Sequence, residues 1–166
     1  MVTKTGYYAP AACALHEMGA GHPENPRRLV AIEERLRASG LWDALQHRSA
    51  APAALADLEL AHDRMYLAGL RGLVDELREQ IDAGGPEHLH LDPDTALNLH
   101  TWQAAIEASG AAIAATDAVL ARLKEIGYLN DRRFAEGFAL AEKETRGFGR
   151  LRVLRDLRAR RVAPAV

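Results

Sequence analysis

Along most of the chain, apolar residues recur at steps of three and four, the spacing of a single helix face. Leu29, Ile32 and Leu36 follow Asn25-Pro26, an N-cap and a first-turn proline, and stop at Gly40, which predicts a helix over 26–39. From Asp57, with a local restart at Asp63, a second stripe runs through Tyr66, Leu70, Leu73, Leu77 and Ile81 and ends at Gly84-Gly85. A third starts at Thr101 or at Asp94-Thr95. It passes through Trp102, Ile106, Ser109, Ile113, Thr116, Leu120 and Leu123 without losing phase, which predicts one helix from about 97 to 126 with Gly127 as its stop. Asn130 or Asp131 then caps a helix with Phe134, Ala135, Phe138 and Ala141 inward, and Gly147-Phe148-Gly149 breaks it. The last helix places Leu151, Leu154 and Leu157 inward and Arg152, Arg155 and Arg158 outward, and Pro164 ends it.

Strand signals are few. Tyr7 and Tyr8 suit a pleated surface over Thr5 to Pro10, and His47 to Ala51 is a second short candidate. Residues 86–94 read as a loop. The predicted fold is mainly α, with two or three short strands in the first half and a long helix bridging to a compact three-helix unit. No internal repeat is visible.

Composition narrows the function classes. With 48% hydrophobic residues the 166-residue chain can bury a core, and no stretch approaches the ~20 uninterrupted apolar residues of a membrane span. The first residues lack an apolar run of signal-peptide length, so the expected localisation is cytoplasmic. Cys13, the only cysteine, excludes an internal disulfide and a cysteine-built zinc site, and 5% aromatic residues supply a base-stacking platform poorly. The net charge of −2 hides an asymmetry. Residues 122–166 hold 12 Lys+Arg against 6 Asp+Glu, a net +6, whereas residues 1–121 hold 9 against 17, a net −8. The basic part calls for an acidic or anionic partner, unless its charges only solvate a helix face.

The run Gly6-Tyr7-Tyr8-Ala9-Pro10, then His16 and Gly19-Ala20-Gly21-His22-Pro23-Glu24-Asn25-Pro26-Arg27-Arg28-Leu29, resembles the N-terminus of the histone deacetylase and acetylpolyamine amidohydrolase family. The likeness continues through Ala61-His62, Tyr66, Asp92 to Thr95 and the helix holding Trp102, Ala104, Ala105 and Gly110, to about residue 120. It implies a parallel sheet between helices and a zinc-bound water that attacks an acetamide. The family's zinc ligands and acid/base groups come from a tandem-His segment, an Asp-x-His pair, a distal Asp and a late Gly-Gly-Tyr. This sequence contains no His-His, Asp-x-His or Gly-Gly-Tyr. No catalytic, cofactor-binding or metal-binding residue is therefore carried over, and an enzyme is not expected.

From about Val119 to residue 163, Gly127-Tyr128-Leu129-Asn130-Asp131, Phe134-Ala135 and the arginine-leucine series after Gly149 resemble one repeat of RecX, a regulator of the recombinase RecA. That resemblance implies binding to RecA, or to another acidic protein surface, through Arg150, Arg152, Arg155 and Arg158. The expected organisation is a chimera, a truncated deacetylase-like segment over 1–120 joined to a RecX-like unit over 121–166. Missing sheet partners predict homo-oligomerisation. The alternatives are a fragment of a zinc-dependent deacetylase-type hydrolase, and an engineered or accidental fusion without evolved activity. Nucleic-acid binding stays open.

Other candidates reduce to ordinary structure. His88, His90, Asp92 and Asp94 alternate and would line one side of an extended segment as metal ligands, but Pro93 interrupts it and a solvated loop is favoured. His16, His22 and Glu17 are expected to hydrogen-bond within their loop, His62 to be buried and backbone-bonded, and Cys13 to be a small buried apolar group. Gly147-Phe148-Gly149 lacks the Lys-Ser/Thr of a phosphate loop.

Overall fold

The computed structural model describes residues 5–162, and the chain divides into two compact units, Met1–Thr116 and Asp117–Val166. In the first unit, strand β1 (Gly6–Tyr8) leads through a 3-10 turn at Ala11–Ala14 to helix α1 (Arg27–Ala38), and β2 (Gln46–Arg48) returns parallel to β1 with Tyr7 opposite His47. Asn25 starts α1 as its sequence demands, its Oδ1 accepting the Arg27 N–H at 3.0 Å. The crossover is pinned by aromatic contacts. Tyr7 donates to Glu33 on α1 at 3.3 Å and meets Trp42 edge to face, while the Arg37 guanidinium lies 3.7 Å from the centre of a Trp42 ring.

Next come α2 (Leu55–Leu58) and α3 (Arg64–Asp82), two separate helices. Asp63 is a full N-cap between them, since its Oδ1 accepts the N–H groups of Met65 at 2.7 Å and Tyr66 at 3.3 Å. The buried face of α3 is Leu67, Val74 and Leu77, so the stripe is rotated from the expected one and Tyr66 is exposed. Residues 86–94 were expected to form a loop, but β3 (Leu89–Asp92) and β4 (Thr95–Leu97) make an antiparallel hairpin with an irregularity between His90 and Asp92. Apolar alternation there is too short to announce a strand, and the hairpin is secured by the burial of Ala96 and Leu97.

Helix α4 runs from Thr101 to Glu125 without a break and ends at Gly127, whose φ of +71° gives the left-handed stop. Its buried residues are Ala104, Gly110 and Ala111, the small ones, while Ile113 and Leu120 stay exposed. Small residues face inward because backbone comes close here: the Ala53 N–H donates to the Ile106 carbonyl at 2.8 Å. By length and composition α4 alone among the described residues is apolar enough to cross a membrane, with a mean hydropathy of 1.4 over its best window. Glu107, in its second turn, accepts the Ala12 N–H at 3.2 Å.

In the second unit, α5 (Asp131–Arg146) and α6 (Arg150–Ala159) form a hairpin. Asn130 caps α5 by accepting the Arg133 N–H, and Gly147, at φ +62°, turns the chain. The core is Ala135, Val153 and Leu157, with Phe138, Ala139, Phe148 and Val162 against it. This corrects the expected faces: Phe134, Ala141 and Leu151 point outward. The tail of α4 from Asp117 onward belongs to the same compact unit, although none of its residues is among those of this core. The expected helix end at Pro164 lies outside the described residues.

Candidate functional site

The second unit carries the cations singled out from the sequence, and its helix turns distribute them. At about 100° per residue, Val153 and Leu157 define the inner face of α6, and Arg150 falls beside it with Leu154. Arg155 and Arg158 project outward, and the Arg155 Nε sits 3.2 Å from the neighbouring Asp156 carboxylate. Arg152 turns to the opposite flank, its guanidinium 3.7 Å from the Phe148 ring centre. The four arginines are all exposed, but they do not form one stripe. Arg150, Arg152 and Arg158 make no ion pair among the described residues, so their positive field is not cancelled locally.

In the first unit, the histidines tie loops together. The His88 Nε2 lies 2.7 Å from the Glu17 carboxylate, joining the loop after β1 to the approach to β3. His16 Nδ1 meets the Thr101 hydroxyl at 3.1 Å, and the buried Asn98 donates to the Leu15 carbonyl at 2.9 Å while its own Oδ1 accepts the His100 N–H. Together with Ile81 and Glu87, some of these groups line a cavity of about 190 Å³. His22 accepts the Glu24 N–H within its loop. His62 is exposed beside Tyr66, not buried as expected.

The alternating acidic pair does something local. Asp92 accepts the Asp94 N–H at 2.8 Å, and this backbone hydrogen bond, with one from the Thr95 side chain, holds its carboxyl below the usual range. The bulge at His90 to Asp92 breaks the alternation that would have lined the four groups up. Among the described residues no three His, Cys, Asp or Glu side chains converge to hold a metal ion. Cys13 is half-buried with its Sγ 3.7 Å from the Ala104 carbonyl, and burial first, then the Glu107 carboxylate, pushes its thiol pKa up. Neither the Glu17–His88 pair nor the Asn98 clasp was singled out from sequence. Their members lie 71 and 83 residues apart, and only the fold brings them together.

The histone deacetylase domain profile matches residues 22–141, most of the chain. The chain belongs to the histone deacetylase domain family. A second profile, that of the second three-helix domain of RecX, matches residues 130–166 and overlaps the first over residues 130–141, the larger part of α5. A histone deacetylase-like amidohydrolase of Pseudomonas aeruginosa is 32% identical over 138 residues, which cover 73% of this chain and 34% of that protein. The chain thus spans about a third of the length of the curated relative it matches. A crystal structure of the HDA15 HD domain aligns with a TM-score of 0.49 at 23% identity, over 66% of this chain and 30% of that one. The deacetylase match extends beyond the expected limit near 120 and into the RecX-like hairpin.

For a deacetylase-family chain, zinc is the group the family implies. The donor set here does not fit it. The ligand patterns of the family do not occur in the sequence, among the described residues no three potential ligands converge, and His16 and His88 are engaged by Thr101 and Glu17. No catalytic step is derived through a metal.

Proposed function

We propose that this deacetylase-family chain acts as a non-catalytic protein-binding module whose basic helical hairpin docks on an acidic protein surface, with RecA as the partner its RecX match suggests. The observation that carries this reading is the set of exposed arginines on α6 that lack acidic neighbours: Arg150, Arg152 and Arg158 are unpaired among the described residues, and Arg155 meets only Asp156. A surface that leaves its own charges uncompensated raises association rates with oppositely charged partners and makes binding sensitive to salt. A RecA pull-down and a strand-exchange assay test it. Binding that weakens with salt and is lost in Arg152→Glu with Arg155→Glu is the expected result; no capture and no effect on strand exchange would remove the reading. The 32% identity to an amidohydrolase supports a second reading, a portion of a deacetylase-type hydrolase. Stoichiometric zinc with turnover of an acetyl-lysine substrate by this chain would favour it over the first.

A further inference from the structure

Hairpin α5–α6 leaves its small core open along one side. There a groove of about 940 Å³ is floored by Ala135, Ala139, Val153, Leu154 and Leu157, with Phe148 also in its lining. Two helices alone seldom bury enough apolar surface to be stable, and a third element packed across them is the usual solution. The RecX profile that matches here is that of a three-helix domain, yet the described part of the match contains two helices. No residue of α4 lines this groove.

The lining says what does fit. On α5 the floor positions are alanines four residues apart, so a helix axis can approach closely, and from Arg132 to Lys143 the groove runs about 16 Å, three helical turns. Its rim is cationic. Lys143 and Arg150 make no ion pair among the described residues, whereas the one lining carboxylate, Glu136, is already paired with Arg132 at 3.0 Å. We propose that this groove seats an amphipathic helix of a partner protein, its apolar stripe on the alanine-leucine floor and its carboxylates facing Lys143 and Arg150. The proposal rests on the binding-module reading and adds to it a second face, which shares Arg150 with the first but not Arg152 or Arg155.

Two fluorescein-labelled peptides of about five helical turns test it, each with leucines at i, i+3, i+4 and i+7, one flanked by glutamates and the other by lysines. With the full chain, the glutamate peptide is expected to bind and gain helicity, and the lysine peptide to stay free. Leu154→Glu and, separately, Lys143→Glu with Arg150→Glu are each expected to weaken binding at least about tenfold, whereas Arg152→Glu with Arg155→Glu leaves it within a factor of about two. Lys143 and Arg150 are exposed, so their double variant keeps the test valid if Leu154→Glu misfolds. Equal binding of the lysine peptide, or glutamate-peptide binding that neither groove variant changes, overturns the proposal. So does sedimentation showing a dimer that Leu154→Glu dissociates, because a second copy would then occupy the groove. If no peptide binds while RecA capture persists and depends on Arg152 and Arg155, the groove alone is refuted; loss of both refutes the module reading as well.

Discussion

Gly110 of α4 lies directly beneath the backbone carbonyl of Ala51. A Cβ built on Gly110 would overlap that oxygen and come within 2.8 Å of the Ala53 nitrogen, and one turn earlier on the helix the Ile106 carbonyl accepts the Ala53 N–H. The segment after β2 is therefore laid on α4 backbone to backbone, which only a residue without a side chain permits. A mid-helix glycine costs about 1 kcal/mol in helix propensity, and this close approach offsets it.

Gly110→Ala is accordingly expected to destabilise the first unit by about 2–3 kcal/mol, the upper part of the range of about 1–3 kcal/mol for overpacking a tight contact. Gly137 in α5 provides the contrast, because open space surrounds its missing Cβ and its φ is not positive. There Gly137→Ala is expected to stabilise by about 0.5–1 kcal/mol. Urea denaturation followed by helical circular dichroism measures both. A neutral Gly110→Ala would mean the loop does not sit where the structure places it.

The thiol of Cys13 is expected to react slowly. Burial is the larger cause of its raised pKa and the Glu107 carboxylate the smaller, so at mildly alkaline pH less of it is thiolate than of a free cysteine. Iodoacetamide should alkylate it more slowly than it alkylates glutathione, and Glu107→Gln should restore only part of the rate because burial remains. The sign for stability follows from the same shift. A pKa raised in the native state contributes stability that is complete below the unfolded value and lost as pH rises through the native one. Alkaline titration of stability should therefore flatten at its upper end in Cys13→Ala. Alkylation at the free-cysteine rate would contradict the half-buried position.

Local signals carried the elements and missed their facing. Asn25-Pro26, Asp63, Asn130, Gly127 and Gly147 act as the caps and stops their chemistry dictates, because capping depends on residues adjacent in sequence. The facing of each helix depends on what lies opposite. In α4 the bulky stripe was expected inside, but the nearby backbone at Ala51 and Ala53 selects Ala104, Gly110 and Ala111. The β3–β4 hairpin was hidden for the reverse reason: its two strands are short, and Asp92-Pro93-Asp94 reads as a turn in any context. For the candidate site, sequence supplied the arginines, while the groove beside Arg150 exists only once α5 and α6 pair.

Leu151 and Leu157 make the facing of α6 a measurable matter. Both belong to the arginine-leucine series and look equivalent in sequence, yet Leu151 is 84% exposed and Leu157 is 9% exposed within the core of the second unit. Burial, not residue type, sets the cost of truncation. Leu157→Ala removes methyl groups packed between Ala135 and Val153 and is expected to cost about 2–3 kcal/mol, toward the low end for buried leucines because so small a core relaxes readily. Leu151→Ala removes atoms that water already reaches and is expected to stay within about 0.5 kcal/mol of the parent. Thermal melts of the two variants decide between the faces. If Leu151→Ala is the costlier change, α6 is rotated from the orientation seen here, and Arg150 and Leu154 would no longer border the groove.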